Sequence, residues 1–249
     1  MQLSKMKLPH MSKYTISCCL FLLAFFAQAQ KNKPLEQNDS LVYKKNYGLR
    51  VGVDLSKPII AARDVDYKGF EIVADYRLRP NVYIAAEMGH VEKTSEEDRY
   101  QFFTKGSYLT VGINRNAFKN WLEMDNELYY GFRYGFSRFS QTLNQYTIFQ
   151  KGVAIDGTSS AYFDPATEQP NRKFEDQNAH WVSLVLGMKV ETFKNLYLGL
   201  AINISKLLRI DTPDNFENLY VPGFNKVYAT NSSVSFNYTL SYRIPLYKK

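Results

Sequence analysis

The stretch Ser233-Val234-Ser235-Phe236-Asn237-Tyr238-Thr239-Leu240-Ser241-Tyr242-Arg243-Ile244-Pro245-Leu246 decides the fold. Val234, Phe236, Tyr238, Leu240, Tyr242, Ile244 and Leu246 occupy alternate positions, and Ser233, Ser235, Asn237, Thr239, Ser241 and Arg243 stand between them. A strand sends successive side chains to opposite faces, so the pattern predicts a strand between an apolar medium and a polar one.

Seven earlier segments repeat the alternation. Their apolar faces are Tyr47, Leu49, Val51, Val53 and Leu55; Phe70, Ile72, Ala74, Tyr76 and Leu78; Val82, Ile84, Ala86 and Met88; and Leu109, Val111 and Ile113. Then come Leu128, Tyr130, Phe132, Tyr134 and Phe136; Val182, Leu184, Leu186, Met188 and Val190; and Leu196, Leu198, Leu200, Ile202 and Ile204. None of these positions is charged. The opposite faces carry Arg50, Asp54, Glu71, Asp75, Arg77, Glu87, Glu127, Arg133, Lys189, Glu191 and Arg243, whose charges nearly cancel.

A soluble sandwich hides its apolar face and exposes its charges, whereas a membrane barrel does the reverse. Three features choose the barrel. The apolar faces are large, aromatic and uncharged, and the chain as a whole is 15% aromatic. The connections alternate in length, as in outer-membrane barrels. The short ones are Arg79-Pro80, 116–125 and Phe193-Lys194-Asn195, and the long ones are 57–67, 91–105, 138–179 and 206–231. The third feature is an export signal.

That signal occupies residues 1–29. Lys5, Lys7 and Lys13 precede an apolar run, Ile16 to Phe26, and Ala27-Gln28-Ala29 is a small-x-small cleavage site. The run is too short for a spanning helix. Cys18 and Cys19 fall inside it, so the mature chain has no cysteine for a disulfide, zinc or thiol chemistry. Loss of the three lysines lowers the formal charge from +7 to +4, which gives no reason to expect nucleic acid as a partner.

The expected fold is therefore all-β: an antiparallel transmembrane up-and-down barrel spanning 47–249. It has eight strands, or ten if 138–179 holds two more. Residues 30–46 are a periplasmic linker. The charged faces become the lumen, where buried charges must be paired. Gly48, Gly52, Gly89, Gly112, Gly131, Gly135, Gly187 and Gly199 share that polar face and make room for its large side chains.

The ending Ser241-Tyr242-Arg243-Ile244-Pro245-Leu246-Tyr247-Lys248-Lys249 resembles the C-termini of small outer-membrane barrels of Bacteroidota. Val53-Asp54-Leu55-Ser56-Lys57-Pro58, followed by Asp66-Tyr67-Lys68-Gly69-Phe70-Glu71, resembles one uncharacterised family of them. The resemblance implies a terminal strand read by the barrel-assembly machinery and an outer-membrane location. It transfers no catalytic residues. Asp39-Ser40-Leu41 resembles the O-glycosylation sequon of the same bacteria.

Chemistry is scarce in this reading. His90 and His180 lie at the outer ends of the third and sixth strands, with no acid or serine at a telling spacing. The lumen carboxylates read as salt-bridged filling, and neither a metal nor a cofactor is expected. The 138–179 segment is the strongest functional candidate because it far exceeds an ordinary connection. It carries Tyr146, Phe149, Tyr162 and Phe163 as candidate partner-binding residues and is read as strand extension, cap or binding surface. The expected role is a non-enzymatic accessory subunit of an outer-membrane complex. Its partners would be membrane lipid, the barrel-assembly machinery and other outer-membrane or periplasmic proteins. The alternatives are a rim enzyme acting on lipid or peptide, and a narrow solute port.

Overall fold

The computed structural model describes residues 46–97, 100–118, 125–148, 151–153, 160–162, 166–212 and 218–248. The signal segment, the linker up to residue 45, Asp39-Ser40-Leu41, Phe149 and Phe163 lie outside the described residues. Eight long strands form where the alternation places them: β1 (Asn46–Asp54), β2 (Tyr67–Arg79), β3 (Val82–Glu97), β4 (Tyr100–Asn116), β5 (Glu127–Ile148), β6 (Arg172–Phe193), β7 (Leu196–Ile210) and β8 (Ser232–Lys248). Each pairs antiparallel with its neighbour in sequence, and β8 returns to β1 with Val53 opposite Leu240. The ring is closed, which removes the unpaired edges that hydrocarbon could not satisfy.

The register fixes the barrel's geometry. A hydrogen-bonded rung runs from Leu49 through Tyr76, Ile84, Ile113, Phe132, Leu184 and Ile204 to Val234. Leu49 is also paired directly with Ile244, so the rung returns ten residues higher on β8. Eight strands with this stagger tilt by about 40° from the barrel axis.

Polarity is inverted relative to a soluble sheet. Leu184 is 61% exposed and Phe236 67%, while Arg50 and Arg133 are each 3% exposed. Hydrophobic burial favours this arrangement only if the outer medium is itself apolar. The chain is a transmembrane β-barrel of eight strands, and the ten-strand alternative is set aside.

One end is closed by tight turns at Pro80-Asn81 and Lys194-Asn195. Asn81 and Asn195 take φ of 64° and 66°, a left-handed conformation that asparagine tolerates better than most residues. The other end is tall and uneven, because β5 and β6 each have 22 residues and β1 only 9.

Two expectations are corrected here, and for a third, one of its alternatives is selected. Tyr47 faces inward and is buried, not on the apolar face, because a bulge between Tyr47 and Gly48 shifts the register against β8. Tyr47 stacks on Tyr247 at 5.1 Å. The stretch 91–105 is mostly hairpin rather than loop, since β3 runs to Glu97 and β4 starts at Tyr100. In 138–179 the strand-extension alternative holds at both flanks, since β5 continues to Ile148 and β6 begins at Arg172. The cause is a second inversion. Above the lipid belt the outer face meets water, and the apolar residues turn inward: Val91, Phe102, Phe139, Leu143, Ala179 and Leu207 are all buried.

Candidate functional site

Two regions can carry function: the lumen, and the wall and hairpins of the tall end. The lumen is filled in layers. At its centre Arg50, on β1, stands opposite Asp75 on β2 and places Nε 2.6 Å from the carboxylate. Its Nη1 lies 2.8 Å from Glu127 of β5, across the barrel. Lys189 of β6, opposite Glu127 in register, joins the same Asp75. The Arg50 guanidinium is 4.7 Å from the Tyr83 ring centre and 5.0 Å from that of Tyr197. Two cations therefore face two anions in a space walled by tyrosine, which is how a low-dielectric interior tolerates charge.

Toward the tight turns, Asp125 closes the barrel. It pairs with both Arg77 and Arg243, and Arg243 also reaches Glu191 at 3.3 Å. Toward the tall end, Arg133 meets Glu87 at 3.2 Å and donates to Asn114 at 2.8 Å. A cavity of about 30 Å³ lies among Asp75, Glu87, Tyr129, Arg133, Lys189 and Asn237, room for about two ordered waters. Above it Asn237 Nδ2 donates to Asp54 at 2.9 Å and to Glu71 at 3.0 Å. Lys57 comes from a short helix, α1 (Ser56–Ala61), and turns inward to within 3.6 Å of Glu71.

The tall mouth is sealed by a different chemistry. The connection between β7 and β8 folds inward and buries Leu219, Tyr220, Val221 and Phe224. Tyr220–Val221 and Asn225–Lys226 make a miniature hairpin, whose Gly223 takes φ of +83° against the rings of Tyr108 and Trp181. Val221 and Phe224 join one apolar cluster with Tyr67, Val91, Tyr108, Phe139, Trp181 and Leu207. Leu219 joins a second with Phe102 and Leu143. Gly135 has its place because Trp181 fills the space a side chain would need.

All eleven residues assigned to the lumen network lie on the inner side of the wall. The sequence reading missed Asp125, Lys57 and the plug, and it placed Asn237 on the polar face without joining it to the charge network. Asp125 was within reach, since it continues the odd-numbered inward series of Glu127, Tyr129 and Gly131. Lys57 was not, because α1 breaks the parity of β1. The β7–β8 connection supplies the inward-folded plug, and Phe139, Leu143 and Ala179 from 138–179 line the space it fills. Of the candidate partner-binding residues, Tyr146 is half-buried against the Phe102–Leu143 cluster. Tyr162 ends a three-residue strand, Ser160–Tyr162, that pairs with Lys151–Val153.

The reading of the histidines is corrected too. His90 does meet a serine: its Nδ1 lies 2.9 Å from Ser107 Oγ on the neighbouring strand, and its Nε2 is 3.8 Å from Glu92. Sequence spacing hid this because the pair forms across β3 and β4. A hydrolytic triad needs an acid that orients the imidazole. Here Glu92 is engaged instead by Lys105 at 2.7 Å, and the pair stands on an open wall. His180 Nδ1 is 2.7 Å from the Tyr134 hydroxyl. Among the described residues, no group of three His, Cys, Asp or Glu is placed to hold a metal ion.

No curated protein matches the chain in sequence. Among solved structures, the crystal structure of Neisserial surface protein A resembles it at 10% identity, covering 82% of this chain and 99% of that one, with a TM-score of 0.34. A family model described as a domain of unknown function, DUF6048, matches residues 11–249, and the chain belongs to that family.

Proposed function

We propose that this protein is an outer-membrane barrel without enzymatic activity, a structural or accessory subunit that holds protein partners at its tall end. The observation that supports this most is the double seal of the lumen, ionic around Asp125 and Arg50 and apolar around Val221 and Phe224. A barrel closed at both ends has only its surface to offer a partner. In outer-membrane barrels the tight turns face the periplasm, which puts the tall hairpins outside. The resemblance to Bacteroidota barrels keeps the barrel-assembly machinery among the partners to be tested.

The test is purification from the native host in mild detergent. Wild type is expected to bring down a stoichiometric partner. Replacing 149–165 with a short Gly/Ser linker should abolish that capture and leave the heat-dependent gel shift intact. The cut is placed there because Gln141 and Leu143 are wholly buried within the tall end. Undiminished capture by the shortened chain would move the role to the leader or to the lipid-facing wall.

The seal also predicts an electrical result. Planar-bilayer recordings should show no steady conductance for wild type. They should show none for a chain whose Asn218–Phe224 segment is replaced by Gly/Ser, because the Arg50 layer still blocks the lumen. Stable channels in most insertions of the plug-less chain would mean that the apolar seal alone closes the barrel.

A further inference from the structure

Above the lipid-facing belt, the outer wall of β2–β5 changes chemistry abruptly. One hydrogen-bonded rung there reads Phe70, His90, Ser107 and Arg138, and the next reads Lys68, Glu92, Lys105 and Ser140. The rungs climb from β2 toward β5 because of the tilt. Lys68 on the low strand is thereby raised toward Arg138 on the high one, and the cations fall in one band less than ~10 Å deep. Immediately beneath lie exposed Ile72, Met88, Leu109 and Phe136.

We propose that this patch binds the phosphate of an anionic lipid in the outer leaflet, with the acyl chains lying on the apolar wall below. The donor set suits a phosphate. Arg138 offers a planar fork, Lys68 and Lys105 offer point charges, and the Ser107 hydroxyl and His90 ring supply shorter reach. Of the acids present, Glu92 is half-buried and holds Lys105 at 2.7 Å, whereas Asp176 is held only at the surface. Glu92 is 26% exposed at the side chain, and Asp176, which meets Arg138 at 2.7 Å, is 75% exposed. An exposed ion pair such as Arg138–Asp176 contributes little and exchanges partners readily. A doubly charged phosphate between Lys105 and Arg138 on adjacent strands, with Lys68 two strand spacings (~10 Å) away from Lys105, is the stronger competitor for Arg138. Beneath the patch Ala74 faces Ala86 across β2 and β3, leaving a depression between Ile72, Met88, Tyr76 and Ile84 where a chain can lie.

The inference rests on the outward orientation of the tall end and not on any protein partner. Its test is a thermal shift. The full chain, refolded in dodecyl maltoside, is heated with diphosphorylated lipid A, with phosphatidylcholine, or with inorganic phosphate, and the midpoint of the gel shift is read. Lipid A should raise the midpoint of wild type by several degrees, as a ligand of the folded state must. Phosphatidylcholine and inorganic phosphate should leave it in place. The triple variant Lys68→Ala, Lys105→Ala, Arg138→Ala should start from the wild-type midpoint and lose most of the rise. Lys206→Ala with Arg209→Ala, on the opposite wall, should keep it. If the triple variant does not refold, Arg138→Gln alone should lose a measurable part. No rise for wild type, an equal rise for the triple variant, or an equal rise with inorganic phosphate would overturn the proposal.

Discussion

Arg50→Leu is expected to destabilise the barrel by about 3–5 kcal/mol, the usual cost of removing one partner from a buried ion pair. Arg50 is 3% exposed and bridges Asp75 and Glu127 from opposite sides of the lumen. Leucine leaves both carboxylates buried, with only Lys189 near enough to answer Asp75. Glu127 is then stranded, and its desolvation is uncompensated. Arg50→Lys should recover part of the loss, since an ammonium can satisfy one carboxylate but cannot fork to two. Urea unfolding in micelles, followed by the gel shift, gives the comparison. A loss below ~1 kcal/mol for Arg50→Leu would show that the layer repacks or hydrates freely.

Leu200→Arg should cost roughly 2–4 kcal/mol, the penalty for arginine at the lipid midplane of a barrel. Leu200 is the middle residue of the outward apolar series Leu196, Leu198, Leu200, Ile202 and Ile204 of β7, is 51% exposed, and pairs with Tyr238 and Met188, both on the outer face. Ser235→Thr is the control, because Ser235 lies opposite Asn203 on the inner face. It should fold with wild-type yield. The pair tests register directly, because a one-residue slip would exchange the two faces. Equal membrane yields for Leu200→Arg and wild type would mean that β7 is paired differently.

The lipid-spanning half of the molecule was legible because one physical rule governs it: apolar outward, polar inward, period two. Leu49 to Val53, Leu128 to Phe136 and Val234 to Leu246 follow it with little interruption. Tyr47 did not, because a bulge inserts a residue into the ladder beside Pro245, the one mark of it in the sequence. Above the membrane the rule reverses. Phe102, Thr104 and Gly106 still alternate with Phe103, Lys105 and Ser107, but the apolar side is now the inside. A search for outward apolar faces therefore ends each strand too early. The lumen charges were legible as a set and not as pairs, since Arg50 and Glu127 are 77 residues apart. The plug was illegible for a related reason. Leu219, Tyr220, Val221 and Phe224 look like an ordinary surface connection until Trp181 and Phe139 are known to face the same space.

The closure between β1 and β8 bears on how the barrel comes together. Every other strand pairs with a neighbour a few dozen residues away or nearer, contacts that form early because little chain must be immobilised. The β1–β8 seam joins Asn46 to Lys248 and needs nearly the whole chain in place first. It shares the shortest strand, nine residues, with the β1–β2 seam, which has only five residue pairs in register. The last pairing to form thus involves the strand held by the least ladder on its two sides, and the reverse also holds: the barrel should breathe at β1 first. Amide exchange at Leu49, Val51 and Val53 would then outpace exchange at Val111 and Phe132, and during insertion this is the gap through which a template strand could be traded for the chain's own.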